Sequence, residues 1–149
     1  MAEISVLLPV SLVADGQGLL DKTIKVGVVA RALAIFRVKE VVVYDDRDPH
    51  LTDPREEARL ITTILRYIET PQYLRKYLFP KRKELRYAGM LPPLRTPHHP
   101  LRGEKESPGD FREAVVVRTE ARRSILEMGL GESCLLYTSD AADEEDSVD

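Results

Sequence analysis

The sequence predicts an α/β protein, a parallel-sheet layer followed by an all-β segment, and three observations carry that reading. Residues 24–46, IKVGVVARALAIFRVKEVVVYDD, read as an amphipathic helix, a short turn and a wholly apolar strand. The Val41–Val43 run is of the β-branched kind that a parallel sheet buries. A second strand pattern, ISVLLPVSL, precedes that helix, so the first 46 residues form one βαβ unit with a right-handed crossover expected. Beyond a proline- and glycine-rich stretch the period changes, and FREAVVVRT and SILEMGL read as strands with no helix between them.

Each element has a local reason. The first strand is expected over about Ile4–Leu12, followed by an Asp15-Gly16-Gln17-Gly18 loop. Asp21 is the expected N-cap of a helix running to about Phe36, with Val26, Val29, Ala30, Leu33 and Ile35–Phe36 at helical spacing. The second strand covers about Glu40–Tyr44. In the DDRDPHLTDP loop, Asp53 can cap a second helix, with Pro54 at its first position and Glu56–Glu57 in its first turn. That helix runs to about Glu69 and offers Ala58, Ile61, Ile64, Leu65 and Ile68 as one apolar face. Thr70-Pro71 ends it, and Gln72–Phe79 reads as a short basic-aromatic helix with Leu74, Tyr77 and Leu78 in the core. The division expected is residues 1–92 as the α/β part, 93–133 as linker and first strands of a β unit, and 134–149 as a tail.

Composition bounds the rest. The chain has 149 residues, long enough for one sizeable core, with 43% hydrophobic and 32% charged residues. No apolar run approaches the roughly 18 residues a membrane helix needs, and no leader pattern opens the chain, so a cytoplasmic location is expected. The formal charge of −3 hides a strong asymmetry. Residues 134–149 carry six carboxylates and no basic group, whereas residues 66–105 carry ten basic groups against three acidic ones. The tail, CLLYTSDAADEEDSVD, also holds the single cysteine. Cys134–Glu144 is what one frame of a common transposase sequencing adapter encodes, and Val148–Asp149 fits the constant part beyond its index. The alternative is a natural acidic disordered terminus. On either reading, no fixed contacts are expected of residues 134–149, and Cys134 supports no redox or nucleophilic chemistry.

Several motifs fall away on spacing. Gly16-Gln17-Gly18 lacks the third glycine of a dinucleotide fingerprint and any Gly-Lys-Ser/Thr, so a plain βα turn is expected. Asp45, Asp46, Asp48 and His50 could offer oxygens to a hard cation, but they lack calcium-loop spacing and read as a solvated cap. No zinc-ligand spacing is present, and no metal is expected.

The strongest signal is QYLRKYLFPKRKELRY. Tyr73, Tyr77, Phe79 and Tyr87 interleave with Arg75, Lys76, Lys81, Arg82, Lys83 and Arg86. Basic groups neutralise phosphates and aromatic faces stack on bases, so this segment reads as an RNA-binding surface. The competing reading is a solvated basic face over core aromatics. His98 and His99, in Pro97-His98-His99-Pro100, point opposite ways in an extended chain and do not chelate easily, but either could contact RNA. Arg31 is either a surface arginine paired with a carboxylate or a guanidinium holding an RNA phosphate near a reaction centre.

The stretch Gly27, Arg31, Ala34, Phe36 and Val38 resembles the opening motif of the SPOUT (trefoil-knotted) RNA methyltransferases. With LLPVSL, ILRYIETPQYLRKYLFP, LRYAGMLPPL, PHHPL and FREAVVV in this order, the chain is similar to an archaeal and eukaryotic RNA methyltransferase family within that superfamily. The resemblance implies a Rossmann-like parallel-sheet domain split by an inserted OB-like β-barrel. It also implies S-adenosylmethionine as methyl donor, a homodimer, and an RNA substrate, most concretely ribosomal RNA methylated at uridine N3. Arg31 would then position the target. The donor-binding knot of such enzymes lies in the later half of the domain, so this chain is expected to be a C-terminally cut piece without donor-binding residues and inactive alone. A non-catalytic RNA-binding or ribosome-assembly module would use the same basic segment.

Overall fold

The computed structural model describes residues 3–94, 111–120 and 122–137. Its first part alternates strand and helix. Strand β1 (Ser5–Pro9) leads through a 3-10 turn into helix α1 (Leu19–Ile35), then strand β2 (Glu40–Tyr44) and helix α2 (Pro54–Glu69). β1 and β2 pair in parallel, with Ser5 opposite Glu40 and Pro9 opposite Tyr44, as a βαβ unit requires. Helix α3 (Gln72–Leu78) follows, and two short 3-10 turns, Lys83–Leu85 and Ala88–Met90, fold the chain back onto α2. The second part is a separate antiparallel sheet of β3 (Val115–Glu120), β4 (Arg123–Glu127) and β5 (Cys134–Tyr137), in that order. The fold is therefore mixed α/β, with one parallel and one antiparallel sheet.

The core lies between α1, α2 and the turn after β1. Val13, Val26, Ala30, Leu60, Ile61, Ile64 and Ile68 form one buried cluster. Ile61 and Ile64 are fully enclosed, each contributing roughly 1.5–3 kcal/mol of burial. α2 starts as its sequence predicts: the Asp53 carboxylate accepts from Arg55 N and Glu56 N at 3.0 and 3.1 Å, with Pro54 at the first position. Its core face is Leu60, Ile61, Thr63, Ile64 and Ile68, while Ala58 and Leu65 stay half-buried.

Five expectations are corrected. Pro9 ends β1, because it has no amide for the ladder, and Val10–Val13 turns into a 3-10 helix. α1 begins at Leu19 with Gly18, at φ +107°, as its N-cap; Asp21 sits inside the first turn, where its charge still suits the dipole. Ile35 and Phe36 are 68% and 70% exposed. Nine residues at about 100° each put Ile35 opposite Val26, on the outer face. Leu74 is buried with Tyr73, whereas Tyr77 and Leu78 are exposed, because the seven-residue α3 ends beyond the packed surface. Residues 134–137 do have fixed contacts: Cys134 pairs with Leu126 and Tyr137 with Arg123. The apolar run CLLY is strand-forming, and β4 presents an open edge that it can satisfy.

The two sheets are joined through α3. The Tyr73 hydroxyl donates to Glu113 O at 2.8 Å, the Tyr77 hydroxyl donates to Glu127 Oε2 at 3.0 Å, and Gly129 packs onto the Tyr73 ring. No helix among the described residues is long and apolar enough to cross a membrane.

Candidate nucleic-acid interface

Helix α2 and the chain that folds back on it form a groove of about 580 Å³. Arg59, Thr62, Thr63 and Arg66 line one bank, and Arg82, Lys83 and Glu84 the other. The α2 residues stand at i, i+3, i+4 and i+7, hence on one face, with the buried Thr63 at the edge it shares with the core stripe. Lys83 straps the banks together, its ammonium donating to Glu56 Oε1 at 2.9 Å. That hydrogen bond, with the Glu56 charge behind it, holds the Lys83 pKa above the usual lysine value, opposed by desolvation and, less, by Arg59. The side chains of Arg59, Arg66 and Arg82 make no hydrogen bond or ion pair among the described residues. A second cavity of about 310 Å³ shares Arg59, Lys83 and Glu84 with the groove and runs on to Gly16 and Gly18.

The glycine loop is a turn held against α1 rather than an open cradle. A Cβ on Gly16 would meet the Lys22 Cγ at 2.7 Å. Lys22 in turn pairs with Glu57, both largely enclosed, tying α1 to α2. That ion pair lines the second cavity beside the two glycines, its two charges answering each other.

The predicted RNA-contacting residues separate into distinct settings. Arg82 and Lys83 line the groove, while Lys81 and Arg86 are exposed outside it, Arg86 lying over the Tyr87 ring at 5.4 Å. Lys76 covers Tyr77 at 4.5 Å. Arg75 turns inward. Its Nε donates to Thr70 O at 2.9 Å, its Nη2 donates to Ile68 O at 3.0 Å, and its plane lies 4.7 Å over Tyr67. Burial lowers its pKa, partly offset by Tyr67. Arg75 and Lys76 also line a cavity of about 410 Å³ with Tyr67, Phe79 and Ala88. Arg31 is exposed on α1, among the exposed Ile24, Val28 and Ile35, and is not part of the groove. His98 and His99 lie outside the described residues.

The carboxylates after β2 serve the backbone. Asp46 Oδ1 accepts from Ser11 N at 3.2 Å, Asp45 from Arg47 N and Asp48 from His50 N, both at 2.8 Å. The sequence reading passed over Arg59. The signal that could have found it is the Arg59-Thr62-Arg66 spacing on the polar side of a helix whose apolar side was already assigned.

Comparison with known proteins identifies the family. A family described as "Putative RNA methyltransferase" matches residues 3–145. The chain belongs to this RNA methyltransferase family. Its match continues across residues 134–145, which contain β5. The chain is 41% identical over 124 residues to a mouse 28S rRNA (uridine-N(3))-methyltransferase, covering 76% of this chain and 31% of that protein. The human protein of the same name is 40% identical over 129 residues, covering 80% and 34%. An uncharacterised protein of Halobacterium salinarum is 41% identical over 114 residues, covering 76% and 39%. The chain thus spans about a third of the length of these curated relatives.

Proposed function

We propose that this chain is part of an RNA methyltransferase that transfers a methyl group from S-adenosylmethionine to uridine N3 of ribosomal RNA. The observation that carries the reading is the identity of about 40% to relatives named for that reaction, over three quarters or more of this chain. The donor would supply the methyl group. No residue of this chain is assigned to hold it, and no step is derived through it. What this chain contributes is RNA positioning. Lys76, Lys81, Arg82, Lys83 and Arg86 offer exposed cations to phosphates, and Arg31 offers a free guanidinium for placing the target. Under the same reading, β1–α2 open a SPOUT domain that dimerises, β3 and β4 open an OB-like insertion, and residues 134–149 are adapter-encoded. The enzyme is expected in the cytoplasm.

The test is methyl transfer by the whole protein of this family member, supplied with methyl-labelled donor and ribosomal RNA, followed by nucleoside analysis. Label in N3-methyluridine is the expected result. Tight RNA binding with no label in any nucleoside would favour the second reading, a non-catalytic RNA-binding module, which the basic groove also supports.

A further inference from the structure

We infer that the α2 groove is a track for the RNA sugar-phosphate backbone, in which Arg59 and Arg66 on the helix and Arg82 on the returning chain grip phosphates across the trough. The inference rests on the RNA-binding reading above and adds to it a second bank, supplied by α2, that the basic segment alone does not contain.

Three physical facts carry it. First, three guanidinium groups line one open groove and none of them makes an ion pair with a described residue, although Glu84 also lines it. Like charges gathered in this way repel each other, and a polyanion relieves the repulsion. Second, the groove is polar and supplies a hydroxyl donor alongside the guanidinium groups. The Thr62 proton is committed to Ala58 O, whereas the Thr63 hydroxyl makes no hydrogen bond to another described residue and can donate to a phosphate oxygen. Third, the trough is elongated. Arg59 and Arg66 are rooted about 10 Å apart along the helix at 1.5 Å per residue, which suits successive phosphates of one strand better than a single small anion. The Lys83–Glu56 bond keeps the second bank in place without occupying Arg59 or Arg66. Among the described residues Glu84 is the one carboxylate lining this groove, so it opposes the ligand.

The experiment titrates the 149-residue chain with a fluorescent uridine-rich single-stranded RNA 12-mer, from 50 to 300 mM salt. Inorganic pyrophosphate serves as a competing small anion. For the double variant Arg59→Gln, Arg66→Gln, affinity should fall at least about tenfold and the salt slope should flatten by roughly 1.4, two contacts at about 0.7 each. Glu84→Gln should bind about two- to fivefold tighter, a gain that misfolding cannot produce. Pyrophosphate should compete only at far higher concentration than unlabelled RNA.

Circular dichroism melts are the check that the variants fold, which is expected because the substituted residues are exposed or half-exposed. If the parent binds RNA and the double variant keeps its affinity and slope, the track is overturned while the RNA-binding reading stands. If the parent binds no RNA, both fall. If pyrophosphate displaces RNA at equal concentration, the groove is a small-anion site and the track is overturned.

Discussion

Gly27 shows how a single residue ties the family motif to the fold. A Cβ there would lie 2.5 Å from Leu91 Cδ2, so the glycine exists to let the returning chain pack on α1. Glycine inside a helix costs roughly 1 kcal/mol against alanine, and the Leu91 contact offsets it. Gly27→Ala should therefore destabilise by about 1 kcal/mol in the parent but stabilise by a similar amount once Leu91→Ala has removed the obstacle. Urea melts of the four-member cycle check this, and an unchanged sign would sink it. Asp46 makes a second prediction at this scale. Its hydrogen bond from Ser11 lowers its pKa, with burial opposing slightly. A depressed carboxyl pKa contributes stability that is present above the unfolded value, near 3.9, and is lost as pH falls through the lower folded value. Asp46→Asn should be less stable than the parent at pH 6, with a gap that narrows as pH falls below about 4. A gap of constant size all the way into acid would refute the assignment.

At the scale of elements, α2 is held at both ends by side chains. Asp53 caps its start, and the Arg75 guanidinium takes up the Ile68 and Thr70 carbonyls at its end. A lysine ammonium cannot reach both carbonyls while stacking on Tyr67. Arg75→Lys should cost about 1–2 kcal/mol by thermal melting, yet leave the salt slope of RNA binding unchanged. A flattened slope would instead mean that Arg75 touches phosphate. The second sheet depends on its last strand. A chain ending at Ser133 leaves β4 with an open edge, so it should melt several degrees below a chain ending at Tyr137. Equal melting temperatures would mean that β5 adds nothing.

Across the whole molecule, the basic segment and α2 converge from distant parts of the sequence, and long-range electrostatics reports on both. In the whole protein, replacing Lys81, Arg82 and Lys83 with alanine should weaken RNA binding and flatten the salt slope by roughly two units. Arg31→Ala should behave differently and reduce methyl transfer more than binding, because a residue that positions the target acts most strongly in the transition state. An unchanged slope in the triple variant would return those residues to a merely solvated face. Unchanged turnover in Arg31→Ala would do the same for Arg31.

What the sequence determined by itself was local and periodic. The parallel pairing of two apolar strands around a helix, the Asp53 cap, the apolar face of α2 and the basic character of residues 75–86 are all written in spacing and residue type. Only the tertiary structure decided which cations are free. Arg75 and Arg82 are chemically alike and seven residues apart, yet one caps a helix and the other faces an open groove. Arg59 became part of the site only when a chain segment more than twenty residues later folded against α2. The same holds for the outer face of α1, which is as apolar as its inner face, so pattern alone could not say that Ile35 and Phe36 lie outside. Periodicity reports a residue's own element, whereas burial and pairing depend on what another element brings to it.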